Sequence, residues 1–82
     1  MVQAIKEARE KIVGLKQTLR AVQQNRVNAV YIAEDVEEHI VRKISGPCQE
    51  KQIPLIKTNM TQKELGRLCQ IEVGAAIVSI VK

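Results

Sequence analysis

With 82 residues the chain is long enough for one domain, and a hydrophobic content of 45% allows that domain a modest core. Tyr31 is the only aromatic residue, which excludes the aromatic platforms on which single-stranded nucleic acids stack. The net charge of +4 is compatible with a nucleic-acid partner without requiring one, and no apolar run approaches the roughly 18 residues of a membrane span.

The first half of the chain alternates helical and strand patterns. Apolar residues at helical spacing predict a helix over about residues 2–10, and a short apolar segment predicts a strand over residues 11–14. A second helix is predicted over residues 16–24. The β-branched run at residues 28–33 predicts a buried strand. The buried face of the second helix is predicted from three aliphatic residues: Leu15, Leu19 and Val22.

Glycine and proline divide the middle of the chain. Apolar residues at four-residue intervals predict a helix over residues 36–44, and Ser45-Gly46-Pro47 is expected to interrupt it. Proline is favoured at the first position of a helix and is poor inside one. A separate short helix is therefore predicted from Pro47 to about Gln52.

The last third of the chain completes the pattern. A strand is predicted over residues 55–58, and the capping-box pair Thr61 and Glu64 predicts a helix that ends near Cys69. Residues 75–81 are continuously apolar, which favours a central strand. Strands that alternate with helices indicate an α/β fold, with four short strands covered by helices on both faces.

Catalytic and metal-binding patterns are missing from the sequence. Cys48 and Cys69 lie in apolar helical patterns and, with no secretory signal, are expected to be buried free thiols in a reducing cytoplasm. His39 stands between charged residues and is expected at the surface, so no nucleophile has a histidine partner. Glu37 and Glu38 fit a helix start better than a cation site. We therefore expect neither an enzyme nor a bound metal or cofactor.

The segment after Gly14 carries the strongest functional signal. A glycine lets backbone approach a ligand closely, and the free N–H groups of a helix start attract phosphate and base acceptors. Lys16, Gln17 and Arg20 share one helix face, where cations suit phosphates and the amide suits base edges. The same pattern also fits the solvated face of an amphipathic helix, so the local pattern alone leaves both interpretations open.

A second segment, residues 65–76 (Leu-Gly-Arg-Leu-Cys-Gln-Ile-Glu-Val-Gly-Ala-Ala), strengthens the functional interpretation. Together with residues 13–20 it resembles the kink-turn RNA-binding family of ribosomal proteins, the L-seven-Ae family, and most of all its small bacterial YbxF-type members. Residues 32–36 and 47–54 also look like family segments. The resemblance covers almost the whole chain and implies a three-layer α-β-α sandwich with a four-stranded mixed sheet, in a single domain over residues 1–82.

Family members bind kink-turns, which are bent RNA helices with tandem sheared G·A pairs. The bend opens a major groove that is otherwise too deep and narrow to read. The resemblance implies that Gly14 permits close backbone approach and that Lys16 and Gln17 address guanine edges at those pairs. Arg20 would contact a guanine or a phosphate. Archaeal members show Gly-x-Asn-Glu followed by Lys at this place, whereas this chain has the bacterial Lys-Gln form followed by Arg.

The loop Ile71-Glu72-Val73 resembles the second RNA-contacting loop of the family. Ile71 and Val73 would pack on a base and a sugar, although Ile71 could equally be an ordinary core residue. The family usually has glycine where this chain has Gln70, and a positive φ there would strain the glutamine. Gly66 and Gly74-Ala75-Ala76 are expected to serve close packing of helix on strand.

The starts of the two later helices cradle an extruded nucleotide in the family, which would place Glu37 and Val41 near it. Gln62 stands where many members have lysine, and Lys63 can substitute. We expect a monomeric, cytoplasmic protein. The resemblance implies that its partner is structured RNA containing a kink-turn, in ribosomal RNA, a riboswitch or a small RNA. The ribosome is a candidate assembly. The alternative is a protein-interaction or structural subunit that keeps the fold without specific RNA binding.

Overall fold

Four strands and three helices alternate along residues 10–82, the part of the chain that the computed structural model describes. The helix predicted over about residues 2–10 lies, apart from its last position, outside the described residues. The elements follow one another as β1 (Lys11–Val13), α1 (Leu15–Gln23), β2 (Val27–Ile32), α2 (Glu38–Glu50), β3 (Leu55–Lys57), α3 (Gln62–Leu68) and β4 (Ile77–Val81).

The four strands form one mixed sheet in the order β1-β4-β2-β3. β4 pairs antiparallel with both β1 and β2, whereas β2 and β3 are parallel. Val30 lies at the centre, opposite Ser79 on one side and Leu55 on the other. The apolar segment predicted as a central strand is therefore interior to the sheet, although its first ladder residue is Ile77.

Helices cover both faces of the sheet, as the α/β pattern predicts. Val30 and Ile32 of β2 pack on one side with Val22 of α1 and Ile44 of α2. Their neighbour Tyr31 points to the other side, because successive side chains of a strand alternate between faces. The core on that second side contains five buried residues: Tyr31, Ala33, Leu65, Ala75 and Val78. The chain thus forms a three-layer sandwich.

The predicted break at Ser45-Gly46-Pro47 is wrong, because α2 is one continuous helix with Pro47 inside it. Ile44 and Cys48, one turn apart on either side of the proline, are both buried in the core, and their packing favours an unbroken helix. Gly46 has no Cβ to meet the proline ring, which relaxes the usual restriction on the residue before a proline. No separate helix begins at Pro47.

Each of the three described helices ends with a non-glycine residue in left-handed backbone conformation. Asn25, Gln52 and Gln70 have φ values of 58°, 58° and 62°. In each case the next amide donates to the carbonyl oxygen five residues back: Arg26 to Ala21, Ile53 to Cys48 and Ile71 to Gly66. This Schellman arrangement closes a helix end and is most easily formed by glycine.

Candidate nucleic-acid interface

The starts of all three described helices lie at one edge of the sheet. β1, β2 and β3 run in the same direction and β4 runs opposite, so the carboxyl ends of the first three lie beside the amino end of β4. This loop edge consists of Gly14 and three longer connections, residues 33–37, 58–61 and 69–76.

Backbone hydrogen bonds join the connections of the loop edge to one another. The Gly14 N–H donates to the Ile77 carbonyl oxygen at 3.0 Å, so the start of α1 is fixed to the start of β4. Two bonds join loops directly, from Ala33 N–H to Ala76 O (3.0 Å) and from Glu34 N–H to Met60 O (2.8 Å), and the Ala75 N–H donates to the carbonyl oxygen of Gln62, the first residue of α3, at 2.9 Å. The two segments that the sequence analysis singled out are therefore neighbours in space.

The start of α1 is open. Gly14 has φ 108° and ψ 154°, a conformation that is essentially restricted to glycine, and apart from its chain neighbours no described residue lies within 4 Å of the position that a Cβ would occupy. Among residues 10–82 no side chain caps this helix, and its first turn has no acidic residue. Lys16 lies there instead, where the positive end of the helix dipole disfavours a cation. The stability of the helix therefore does not explain the lysine.

The two faces of α1 differ as expected, and the buried face also holds a polar contact that the sequence did not predict. Lys16, Gln17 and Arg20 are exposed. Val22 is buried on the opposite face, and Leu15 and Leu19 are half-buried against the core. The polar contact is a buried pair of hydroxyl groups, Thr18 Oγ1 and Ser79 Oγ, 3.2 Å apart.

Sequence reasoning missed this pair because its residues lie 61 positions apart. The available signal was a serine inside the otherwise apolar last strand.

The second segment lies along α3. A Cβ at Gly66 would collide with the carbonyl oxygen of Val73, so only glycine allows this loop to lie against the helix. The close packing predicted for Gly66 is thus between helix and loop, not between helix and strand. Ile71 is half-buried against the core, whereas Glu72 is exposed and Val73 is 72% exposed, the only large hydrophobic residue so exposed among residues 10–82.

Gln70, which precedes this loop, takes the positive φ that a glycine would accept without strain. The positive φ that the sequence analysis considered at this position is therefore present, and the glutamine carries its strain.

The starts of α2 and α3 each carry an acidic residue in the first turn, which α1 does not, and α3 alone of the three described helices has a side-chain cap. Glu37 is the exposed N-cap of α2, with Oε2 at 3.4 Å from His39 Nδ1. Thr61 and Glu64 form the predicted capping box of α3, with hydrogen bonds of 3.2 and 3.0 Å. Lys63 is exposed in the first turn of α3. Glu37 and Lys63 thus both lie at the loop edge.

Comparison with known proteins gives this arrangement a family. Residues 1–82 match the family described as ribosomal protein L7Ae/L30e/S12e/Gadd45. The chain belongs to this family. A relative from Caldanaerobacter subterraneus, named an RNA-binding protein, is 54% identical over 67 residues, which are 82% of this chain and 80% of that protein. The RNA-binding protein YbxF of Geobacillus stearothermophilus is 37% identical over 71 residues, covering 87% and 85% of the two chains.

Solved structures agree with the fold of this L7Ae-family chain. A Giardia lamblia 15.5 kD RNA-binding protein superposes with a TM-score of 0.85 at 25% identity, over 99% of this chain and 70% of that one. A protein of unknown function from Bacillus halodurans gives the same TM-score at 23% identity, over 99% and 80%. The second likeness concerns the fold alone.

The chemically reactive groups of this L7Ae-family chain include two cysteines. Cys48 and Cys69 are free thiols, and Cys69 is half-buried where full burial was expected. Burial raises the pKa of both thiols above the ordinary value, and for Cys69 the charge of Lys11 partly offsets that rise. Within residues 10–82, no group of three or more histidine, cysteine or acidic side chains could hold a metal ion, and no helix is long and apolar enough to cross a membrane.

Proposed function

We propose that this protein binds structured RNA containing a kink-turn, through the start of α1 and the loop Ile71–Val73. The observation that carries the proposal is the uncapped start of α1, with a cation in its first turn, at the same loop edge as a connection that exposes Val73. Such a helix start lacks a partner for its first N–H groups and attracts acceptors. RNA supplies acceptors on both phosphates and base edges. The RNA-binding names of the relatives support the same conclusion.

Each side chain has a definite chemical role in this proposal. Lys16 and Arg20 carry positive charge to phosphates or guanine acceptors, and the Gln17 amide can both donate to and accept from a base edge. The open position beside Gly14 lets RNA approach the backbone. A regular A-form duplex has a major groove too narrow for this helix start, so a kinked duplex is the form of RNA that fits.

The loop supplies apolar contacts. The exposed Val73 packs on an unpaired base or its sugar, and Ile71, which is partly in the core, supports it. Glu72 is exposed between them and lies at the RNA boundary. Glu37 and Lys63, at the starts of the next two helices, flank the nucleotide that a kink-turn extrudes. The RNA can be ribosomal RNA, a riboswitch or a small RNA, bound by a cytoplasmic monomer, and the ribosome is a candidate assembly.

The charge distribution favours RNA over the alternative of a protein-interaction subunit. Within residues 10–82 the ion pairs are His39 with Glu37 and Arg42 with Glu38, so the described carboxylates leave Lys16 and Arg20 unpaired. An exposed and unneutralised cationic face is what phosphate binding requires. A surface kept for a protein partner does not need uncompensated cations at a helix start.

A gel-shift comparison tests the proposal. One RNA contains a kink-turn, and the matched RNA has its sheared G·A pairs converted to Watson–Crick pairs. We expect binding to the first and none to the second at the same concentration. Equal affinity for both RNAs would refute kink-turn recognition, and binding to neither would favour the protein-interaction alternative.

A further inference from the structure

A chain of hydrogen bonds connects the acidic turn before α2 to the loop before β4, and it passes through Gln62. Asp35 Oδ1 accepts the Gln62 backbone N–H at 2.8 Å, and Gln62 Nε2 donates to the Asp35 carbonyl oxygen at 3.1 Å. The Gln62 carbonyl oxygen in turn accepts the Ala75 N–H at 2.9 Å. Gly74 packs on the same residue, since a Cβ there would lie 3.3 Å from Gln62 Cβ.

Asp35 adds a tertiary contact to a helix start that already has its local cap. Thr61 and Glu64 form a complete capping box, which is the usual way to begin a helix. The contact from Asp35 spans 27 positions of sequence and involves a carboxylate, which makes stronger hydrogen bonds than a neutral acceptor. Its effect is to fix the position of the α3 start relative to the end of β2.

The fixed α3 start determines where the loop lies. One end of the loop rests on α3 where Gly66 meets the Val73 carbonyl oxygen, and the other end is bonded to Gln62 through Ala75. A displacement of α3 would therefore carry Val73 with it. The start of α1 would stay in place, because Gly14 is bonded to Ile77 of the sheet.

We propose that Asp35 is a positioning residue for RNA recognition. Acting through Gln62, it holds Val73 at the separation from α1 that a kinked RNA requires, without itself contacting the RNA. This inference rests on the proposed function. A loop that is already ordered loses less conformational freedom when RNA binds. A variant with a less ordered loop therefore binds more weakly, and we expect the weakening mainly as a faster dissociation of the RNA.

The test compares three variants with the wild type on a kink-turn RNA, well below their melting temperatures. Asp35→Ala removes the carboxylate, Asp35→Asn keeps an acceptor oxygen, and Glu34→Ala removes the same charge from the same turn. The Glu34 bond to Met60 is made by backbone atoms and survives the substitution. We expect Asp35→Ala to bind about tenfold more weakly through faster dissociation, with an unchanged salt dependence. Asp35→Asn should stay within about twofold of the wild type, and Glu34→Ala should lose no affinity.

Hydrogen exchange at the Ala75 amide provides a reading that does not need RNA. Asp35→Ala should accelerate that exchange about tenfold, because the Gln62–Ala75 bond opens more often. Unchanged exchange would overturn the inference even if RNA binds normally. Unchanged affinity of Asp35→Ala, or an equal loss in Asp35→Asn, would overturn the positioning role. If the wild type does not bind the kinked RNA, the proposed function fails and the RNA role of Asp35 fails with it.

Discussion

α1 and α3 begin at the same edge of the same sheet, yet their first turns are built in opposite ways. Thr61 and Glu64 cap α3, and the Asp35 carboxylate accepts one of its N–H groups. α1 begins at Gly14 with no side-chain cap and carries Lys16 in its first turn. A helix start needs acceptors for its first N–H groups. The described residues provide side-chain acceptors for α3 and none for α1.

This difference separates a helix start that follows the rules of local stability from one that does not. Local stability favours acidic residues and hydroxyl caps near the positive end of the helix dipole, and α3 follows that rule. α1 departs from it at Lys16, and Gly14 has no side chain with which to cap the helix. Departures from the local rules are expected at functional sites, where other parts of the fold compensate for them. The buried contact between Thr18 and Ser79 is one such compensation, because it ties α1 to β4.

The largest effect on stability is expected from a substitution where α3 contacts the loop that carries Val73. Gly66→Ala places a methyl group against the Val73 carbonyl oxygen, so the loop must move off the helix. We expect a loss of about 2–4 kcal/mol in the free energy of unfolding, measured by chemical denaturation. RNA binding should weaken as well, although α1 is unchanged.

Gly74→Ala is the matched control for Gly66→Ala. Its added Cβ meets Gln62 atoms at 3.3–3.4 Å, a contact that a small shift relieves, so the loss should be about 1 kcal/mol or less. Equal losses in the two variants would contradict the direct support of the loop by α3.

The next effect concerns RNA affinity alone. Gln17→Ala and Arg20→Ala should each cost about 1–3 kcal/mol of RNA binding and leave the melting temperature nearly unchanged, because both side chains are exposed. Neutralisation of about four phosphates by the exposed cations Lys16, Arg20, Lys63 and Arg67 predicts a log–log salt slope of about −3 to −4 for the wild type. Arg20→Ala should reduce the magnitude of that slope by about 1, whereas Gln17→Ala should leave it unchanged.

A fall in melting temperature parallel to the fall in affinity would show Gln17 and Arg20 to be structural. A wild-type slope near zero would contradict an electrostatic interface and favour a protein partner.

Thr61→Ala tests the capped start of α3, the other member of the comparison with α1. The substitution removes the hydroxyl that caps α3, so the free energy of unfolding should fall by about 1 kcal/mol in thermal or chemical denaturation. RNA affinity below the melting transition should change far less than in Arg20→Ala. An affinity loss larger than the stability loss would show that the start of α3 binds RNA directly, as the start of α1 is proposed to do.

The sequence predicts those parts of the fold that depend on local patterns. The capping box at Thr61, the interior position of the last strand and the alternation of strands with helices follow from periodicity and from short-range chemistry. The predicted break at Pro47 is wrong, because local propensity favours a break there and only the burial of Ile44 and Cys48 favours a continuous helix. Tertiary packing outweighed the local preference.

For the candidate site, local patterns identify the exposed face of α1 and the loop but not what holds them together. The contact of Gly66 with the loop and the bond from Asp35 to Gln62 join residues distant in sequence, and no periodicity reveals them. A single sequence indicates which side chains suit RNA. It does not reveal which neighbours orient them.

The smallest effect is expected at the helix ends, where Gln70 and Gln52 offer a matched pair. Both follow a helix in left-handed backbone conformation, with φ of 62° and 58°, but only Gln70 precedes the loop that carries Val73. Glycine removes the strain of this conformation and adds unfolded-state entropy in return. Gln70→Gly and Gln52→Gly should therefore each hold stability or raise it by up to about 1 kcal/mol in chemical denaturation, with RNA affinity held or slightly improved. A loss of RNA affinity confined to Gln70→Gly, at unchanged stability, would mean that the Gln70 side chain itself contacts the RNA. A loss of stability in both variants would show that these helix ends store no strain.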